Sequence, residues 1–294
     1  MSNKETIKDA DITIVIPAYG DSRILFESLG KLVEAPGFER CKLLIVNDCC
    51  PDEDYKAVAW FYNAKLISTP VNCGQGLARM YGLSKADTPY VMFMDQDDWY
   101  TDIESLYQEM MKDPENCVCA MGSASKREGH DCGEERLMFS SMWGKLWNKR
   151  YLPNEISTPK VSRCQEDAYF SKIMPFWAAH ISHDMYYSSV EKEVYHWTDN
   201  KASQTEVWAK DEEHFIYVEA MFCIAMLEAY DFVKRNVPEQ RELFRGHLYE
   251  LLQEPLRLVG QYAIVHGFSE EWGAKITEII KEVNERFIEA LNEI

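Results

Sequence analysis

A chain of 294 residues, 46% hydrophobic and 27% charged, can bury a sizeable core without disulfide or metal staples, which excludes a disordered, fibrous or miniprotein class. Its net charge of −18 repels nucleic-acid backbones and anionic membrane surfaces at long range, and no basic run reverses that field. Nine cysteines, an odd number that includes the adjacent Cys49–Cys50 and the near pair Cys117/Cys119 but no CxxC, speak against an extracellular disulfide framework or structural zinc and for free thiols in a reducing cytoplasm.

The N-terminal MSNKETIKDAD is polar, and no apolar run approaches the ~20 residues that span a bilayer, so neither a signal peptide nor an integral membrane segment is expected. Ile12 to Ile16 is an uninterrupted, mostly β-branched run closed by Pro17, the pattern of a strand buried on both faces. Helix-compatible spacing follows over Ile24 to Val33. Leu43 to Val46 reads as a strand ahead of Asn47-Asp48, Tyr55 to Ala64 as a helix, Lys65 to Ser68 as a short strand and Leu77 to Ala86 as a helix. Tyr90 to Met94 is the next strand, ending at Asp95. This alternation predicts an α/β fold with a doubly wound, mostly parallel sheet. Ligands of such sheets lie beyond the carboxyl ends of the strands, where Tyr19, Asp48 and Asp95 to Asp98 would converge.

From Cys117 to Gln204 the pattern is mixed, with a strand at Val118 to Met121, a mobile surface loop at Lys126 to Glu135 and aromatic-rich segments beyond. After Asp211 the chain turns to long amphipathic helices, and Ile276, Ile279, Ile280, Val283, Phe287 and Leu291 line one face. A helical cap or a self-association surface for a homo-oligomer fits this tail; a membrane-surface helix fits less well, because the polar face is not predominantly basic. No repeat or low-complexity segment is present.

The strongest local signal is Met94-Asp95-Gln96-Asp97-Asp98-Trp99, an acidic cluster directly after an apolar strand. Carboxylates are hard ligands suited to Mg²⁺ or Mn²⁺, and a metal so held can bridge a diphosphate that the acidic chain would otherwise repel. The competing reading makes Asp97 or Asp98 the cap of a helix beginning near Thr101, but a cap needs one aspartate rather than three.

Ile14-Val15-Ile16-Pro17-Ala18-Tyr19, Ile45-Val46-Asn47-Asp48, Asn72-Cys73-Gly74 through Ala78-Arg79, and Asp95-Gln96-Asp97-Asp98 together resemble, in order and spacing, the motifs of family 2 glycosyltransferases. Trp143-Gly144-Lys145-Leu146-Trp147, Gln165-Glu166-Asp167, Tyr195-His196-Trp197 and Ser203 are similar to the family's second half, so the resemblance covers roughly residues 10 to 205. It implies a GT-A fold, a nucleotide-sugar donor, commonly uridine diphosphate linked, a divalent Mn²⁺ or Mg²⁺ and inversion at the anomeric carbon. The implied organisation is a catalytic domain over 1–205 followed by a C-terminal helical extension over 206–294.

By the same resemblance Pro17, Ala18 and Tyr19 form the first loop against the nucleoside, Asp48 meets the base, and Asn72, Gly74 and Arg79 belong to the donor-binding segment. Asp95 contacts the ribose or metal region, Asp97 is the metal ligand, and His196 is a late metal ligand or diphosphate contact. In the Glu166-Asp167 pair, Asp167 is the catalytic base; alone, the two acids would read as ordinary first-turn residues of a helix. Trp143, Trp147 and Trp197 either stack on sugar rings or pack in the core. Asn47 stands where the family often has a second aspartate, and Cys49-Cys50-Pro51 replaces its small Gly/Ser turn.

A nucleotidyltransferase, a non-catalytic sugar-binding or scaffold protein, and a DNA-base-modifying glycosyltransferase are the alternatives. The first lacks a convincing phosphate loop in Tyr19-Gly20-Asp21-Ser22, the second would not need both Asp97 and Asp167, and the third is disfavoured by the charge. The expected partners are the nucleotide sugar and a glycan, lipid-linked or protein acceptor. Without the membrane segments of processive members, single transfer is expected.

Overall fold

Strand β1 (Ile12–Ala18) is buried along its whole length, and the sheet explains why: it lies between two parallel neighbours, β2 (Cys41–Asn47) and β4 (Tyr90–Phe93). The computed structural model describes residues 10–51, 54–126, 141–198 and 211–292. Residues 127–135 of the expected surface loop and Ser203 lie outside the described residues.

The strand does not stop at Ile16 but continues through Pro17 to Ala18, in register with Val46 and Asn47. The missing proline N–H does no harm there, because the ladder to β4 ends at Val15↔Phe93 and Pro17 lies beyond it. With β3 (Lys65–Ser68) beside β2, the first half of the sheet has the parallel order β3-β2-β1-β4, connected by α1 (Ser22–Leu32), α2 (Tyr55–Phe61) and α3 (Gln75–Lys85). The direction of winding reverses between β1 and β4, so the crevice beyond their carboxyl ends is the natural ligand position.

Beyond β4 the sheet becomes mixed. β7 (Lys145–Asn148) runs antiparallel to β4 and to β6 (Cys117–Lys126), β6 runs parallel to β8 (Tyr186–Trp197), and the two-residue β5 (Trp99–Tyr100) pairs antiparallel with the end of β8. The expected strand at Val118 to Met121 is thus the core of a longer one. The α/β class and the doubly wound parallel half hold, with a mixed second half that carries aromatic residues to the acidic turn.

Helix α3 packs on β1 and β2 through Gly82. A Cβ at this position would lie 2.4 Å from Val15 Cγ1 and 2.9 Å from Val46 Cγ2, both on central strands. Gly82→Ala is therefore expected to destabilise the protein by about 1–3 kcal/mol through overpacking, despite alanine's better helix propensity. The denaturant midpoint checks this; an unchanged or higher midpoint would show that the helix can back away freely.

The chain divides into two compact units, one of residues 1–156 and 181–199, the other of 157–180 and 200–294. Compactness thus groups Ser157–His180 with the C-terminal helices, whereas the boundary near 205 follows the extent of the motifs. In the second unit α5 (Glu166–Ile181) starts within the 157–180 segment, followed by α6 (Glu212–Asn236), α7 (Arg241–Val265) and α8 (Glu270–Asn292). Helix α6 buries residues all round, among them Ala220, Cys223, Ile224, Leu227 and Phe232, which marks it as the unit's core. The apolar face expected on α8 is used there: Val283 and Ala290 join the α6 core, while Leu291 remains 47% exposed. Arg286 of α8 also meets Glu228 at 2.9 Å and Asp231 at 2.7 Å on α6.

Candidate active site

Three strand ends of the first unit are tied together. After β1, Tyr19 projects 53% exposed while its main chain is held by the Gln96 carboxamide: the Tyr19 N–H donates to Oε1 at 3.0 Å, and Nε2 donates to the Tyr19 carbonyl at 2.8 Å. The single O–H of Tyr55, from α2, lies within donor reach of both the Gly20 carbonyl at 3.3 Å and Gln96 Oε1 at 3.2 Å and is shared between them. After β2, the Asn47 carboxamide closes its own turn, accepting from the Cys50 N–H at 2.7 Å and donating to the Cys50 carbonyl at 3.3 Å. Cys50 Sγ in turn accepts the Gly20 N–H at 3.3 Å. This accounts for the two departures from the family pattern. Asn47 has the donor that an aspartate lacks, and the thiol at position 50 holds Gly20.

Asp48 is buried and binds its own loop. It accepts from the Thr69 hydroxyl at 2.8 Å, the Cys73 N–H at 2.9 Å, the Cys73 thiol at 3.1 Å and the Gly74 N–H at 2.7 Å. Burial raises its pKa, but these donors outweigh it and hold the carboxyl below the ordinary range. Gly74 has φ +86 and ψ 159, a conformation reserved for glycine, and forms the start of α3. The half-buried Asn72 precedes it, so Asp48 organises the Asn72–Gly74 segment.

Arg79 lies on the inner face of α3, 1% exposed, and its guanidinium pairs with Asp95. It is therefore not an exposed helix arginine. A planar, always-charged group fixed next to the acidic turn is suited to a phosphate or carboxylate oxygen.

The acidic turn closes by an Asp98 N–H to Asp95 carbonyl bond of 3.2 Å, with Asp95 and Asp97 half-buried. Asp98 points inward, 1% exposed, accepting the Tyr195 hydroxyl at 2.9 Å and the Thr198 N–H at 2.8 Å. The Asp95 N–H donates to the same Tyr195 hydroxyl at 3.3 Å. None of the cluster caps the next helix: α4 (Ile103–Met110) is capped by Asp102, which accepts the Ser105 N–H at 2.9 Å. The capping explanation of three aspartates thus fails, and their mutual repulsion calls for another.

That repulsion is visible in Asp98. Burial first, then the charges of Asp95 and Asp97, push its pKa up to about 9 against the bonds from Thr198 and Tyr195. Among the described residues no group of three or more His, Cys, Asp and Glu side chains gathers as a ready-made metal cage. The donor set nevertheless fits a hard divalent cation: one or two carboxylates from a strongly negative turn, with substrate phosphates completing the shell. Because the folded carboxyl keeps its proton while the unfolded one releases it near pH 4, metal-free stability should fall as pH rises from about 4 to about 9. Asp98→Asn is expected to flatten that slope in thermal unfolding without metal; an unchanged slope would mean that Asp98 is ionised in the folded protein.

Aromatic rings line the other side of the turn. Tyr195 stacks on Trp143 at 4.9 Å, Trp143 on Trp197 at 6.4 Å, and His196 on Trp99 at 4.0 Å, with Lys31 Nζ 4.1 Å from the centroid of the Trp99 ring. Trp147 is buried and donates to the Met142 carbonyl at 3.0 Å, a core role, whereas Trp143 and Trp197 are half-buried. The register Trp99↔His196 sets His196 opposite Trp99, the residue that follows the acidic turn.

In the second unit Glu166 and Asp167 open α5, Glu166 buried and Asp167 half-buried. Gln165 before them has φ +70, uncommon for a residue with a side chain, and its Nε2 donates to the Val218 carbonyl of α6 at 3.2 Å. Pro17 and Ala18 end β1, and Asp48, Asn72, Gly74, Arg79, Asp95, Asp97 and His196 all belong to the first unit. The residue pattern points to no role for Gln96, Tyr55 or Tyr195, and for Asp98 only to the acidic cluster or a helix cap. Gln96, Asp98 and Tyr195 lie within the motifs that resemble the family, while nothing in the sequence distinguishes Tyr55.

The pattern of the family described as "Glycosyl transferase family 2" matches residues 13–170. Glycosyltransferase GlyA of Streptococcus pneumoniae serotype 4 is 24% identical over 245 residues, 72% of this chain; the chain spans only 34% of that protein's length. The S. aureus TarS 1–349 structure in complex with UDP aligns with TM-score 0.60 at 18% identity, covering 96% of this chain and 81% of that one. Mannosyltransferase PcManGT from Pyrobaculum calidifontis, in complex with GDP-Man and Mn²⁺, aligns with TM-score 0.51 at 12% identity, covering 96% and 86%. These likenesses show a shared GT-A fold. No described helix is long and apolar enough to cross a membrane.

Proposed function

The chain belongs to glycosyl transferase family 2 and is a glycosyltransferase, and from that premise we propose that it transfers a sugar from a uridine diphosphate donor to an acceptor hydroxyl with inversion at the anomeric carbon. The observation that carries this reading is the tie between Tyr19 and the acidic turn, which sets an exposed aromatic ring and two half-buried carboxylates at the ends of adjacent strands. A nucleoside diphosphate has the matching chemistry, a flat base at one end and phosphates at the other. The UDP bound to the TarS neighbour supports the choice of base.

In this mechanism Pro17, Ala18 and Tyr19 pack against the nucleoside. Asp48, engaged with its own loop, shapes the Asn72–Gly74 segment that borders the base. Arg79 and Asp95 act as a fixed pair beside the diphosphate, and Asp97, with Asp95 and His196 as further candidates, would hold a Mn²⁺ or Mg²⁺ ion. Such an ion, when bound, neutralises charge on the departing diphosphate. The Mn²⁺ of the mannosyltransferase neighbour supports this. Asp167 is the proposed base, accepting the acceptor hydroxyl's proton as its oxygen attacks, with the buried Glu166 preceding it in the same helical turn. We assign catalysis to residues 1–205 and a supporting role to 206–294. The free thiols among the described residues support a cytoplasmic location.

Incubating the protein with a panel of nucleotide sugars, in Mn²⁺ or EDTA, and measuring nucleoside diphosphate release tests the proposal. Metal-dependent release from one uridine-linked donor is expected. Release from a guanosine donor alone would correct the base, and the absence of both release and nucleotide binding would overturn the reading.

A further inference from the structure

Gln96 is the uncharged member of the acidic turn, and its side chain leaves that turn for another loop. Oε1 accepts the Tyr19 N–H at 3.0 Å and the Tyr55 hydroxyl at 3.2 Å, while Nε2 donates to the Tyr19 carbonyl at 2.8 Å. The partners fix the amide's orientation, because turning it over would set NH₂ against N–H and oxygen against oxygen. A peptide-like pair of bonds thus joins the residue after β1 to the residue between Asp95 and Asp97.

We propose that Gln96 is a positioning residue for the nucleotide, holding the Tyr19 ring in register with Asp95 and Asp97 so that ring and carboxylates grip opposite ends of one nucleoside diphosphate. This rests on the donor-binding reading above. Tyr19 is exposed, so its ring has little packing to fix it, and its main chain is held by the Gln96 bonds. Without them the residue after β1 would have to be ordered at the moment of binding, which weakens affinity by about tenfold per residue fixed. Tyr55 reinforces the arrangement by bonding Gly20 and Gln96 together. A glutamate at position 96 would lose the donor, oppose the Tyr19 carbonyl and add a further negative charge to the turn; a methionine would keep the length and lose the bonds.

The test is a double-mutant cycle on the full chain: affinity for UDP and for GDP with Mn²⁺, by calorimetry, for wild type, Tyr19→Ala, Gln96→Met and the double variant. Each single change is expected to weaken binding about tenfold, and the double variant to match Gln96→Met within about twofold, because a Tyr19 ring out of register has nothing left to lose. If Gln96 acted on binding independently of Tyr19, the losses would add to about a hundredfold, and if it served stability alone, Gln96→Met would bind as wild type does; either result overturns the inference while leaving the donor reading intact. Should Gln96→Met fail to fold, Gln96→Glu takes its place in the same cycle: its added charge makes the single loss exceed tenfold, and the double variant is still expected to match Gln96→Glu within about twofold. Failure of the wild-type chain to bind either nucleotide would overturn the donor reading, and this inference with it.

Discussion

Replacing Asp97 with alanine is expected to lower metal-dependent nucleoside diphosphate release by about a thousandfold, because a hard ligand worth several kcal/mol of charge stabilisation is removed and each 1.36 kcal/mol is tenfold in rate. Asp95 pairs with Arg79, and Asp98 is buried against Tyr195 and Thr198. The same substitution also removes one of the charges that raise the Asp98 pKa, so metal-free stability at neutral pH should hold or rise. A capping or packing role would give the opposite sign, and α4 already has its cap in Asp102. Release measured in Mn²⁺, beside thermal unfolding in EDTA, separates the two: lost stability with retained turnover would remove Asp97 from the metal site.

The parallel half of the sheet was legible because β1, β2 and β4 are continuous apolar runs buried on both faces, and such runs announce themselves without tertiary information. In the second half only the strand at Val118 to Met121, the core of β6, was legible in this way. β7 is four residues long and contains a lysine, Lys145, whose ammonium is buried against the Ser141 carbonyl at 2.6 Å. β8 passes through Glu191, Lys192 and Glu193 before reaching the buried Val194 and Tyr195, so its alternation is interrupted.

At the site, the residue types and their order could be read, but not their engagements. Asp98 meets partners about a hundred residues away, and Arg79 turns inward because Asp95 is there to receive it. The grouping of residues 157–180 with the C-terminal helices was equally hidden. Val161, Cys164, Tyr169 and Ile173 form no long apolar run, and they find their core on α6.

Asp167→Asn is expected to reduce turnover by about 10²–10⁴-fold with nucleotide affinity unchanged, the range associated with losing a positioned general base. The amide keeps the size and hydrogen-bonding reach of the carboxylate but cannot take the acceptor's proton. Asp167 is half-buried in the first turn of α5, and that turn is entered through Gln165 at φ +70 with its side chain anchored on Val218. Its neighbour Glu166 is buried, so Glu166→Gln should register in unfolding temperature more than in turnover. Using water as the acceptor, diphosphate release by the two variants can be compared before the natural acceptor is identified. If Asp167→Asn stays within tenfold of wild type while Glu166→Gln falls by hundreds at equal stability, the proton goes to Glu166; if neither falls, the base does not lie in this helical turn.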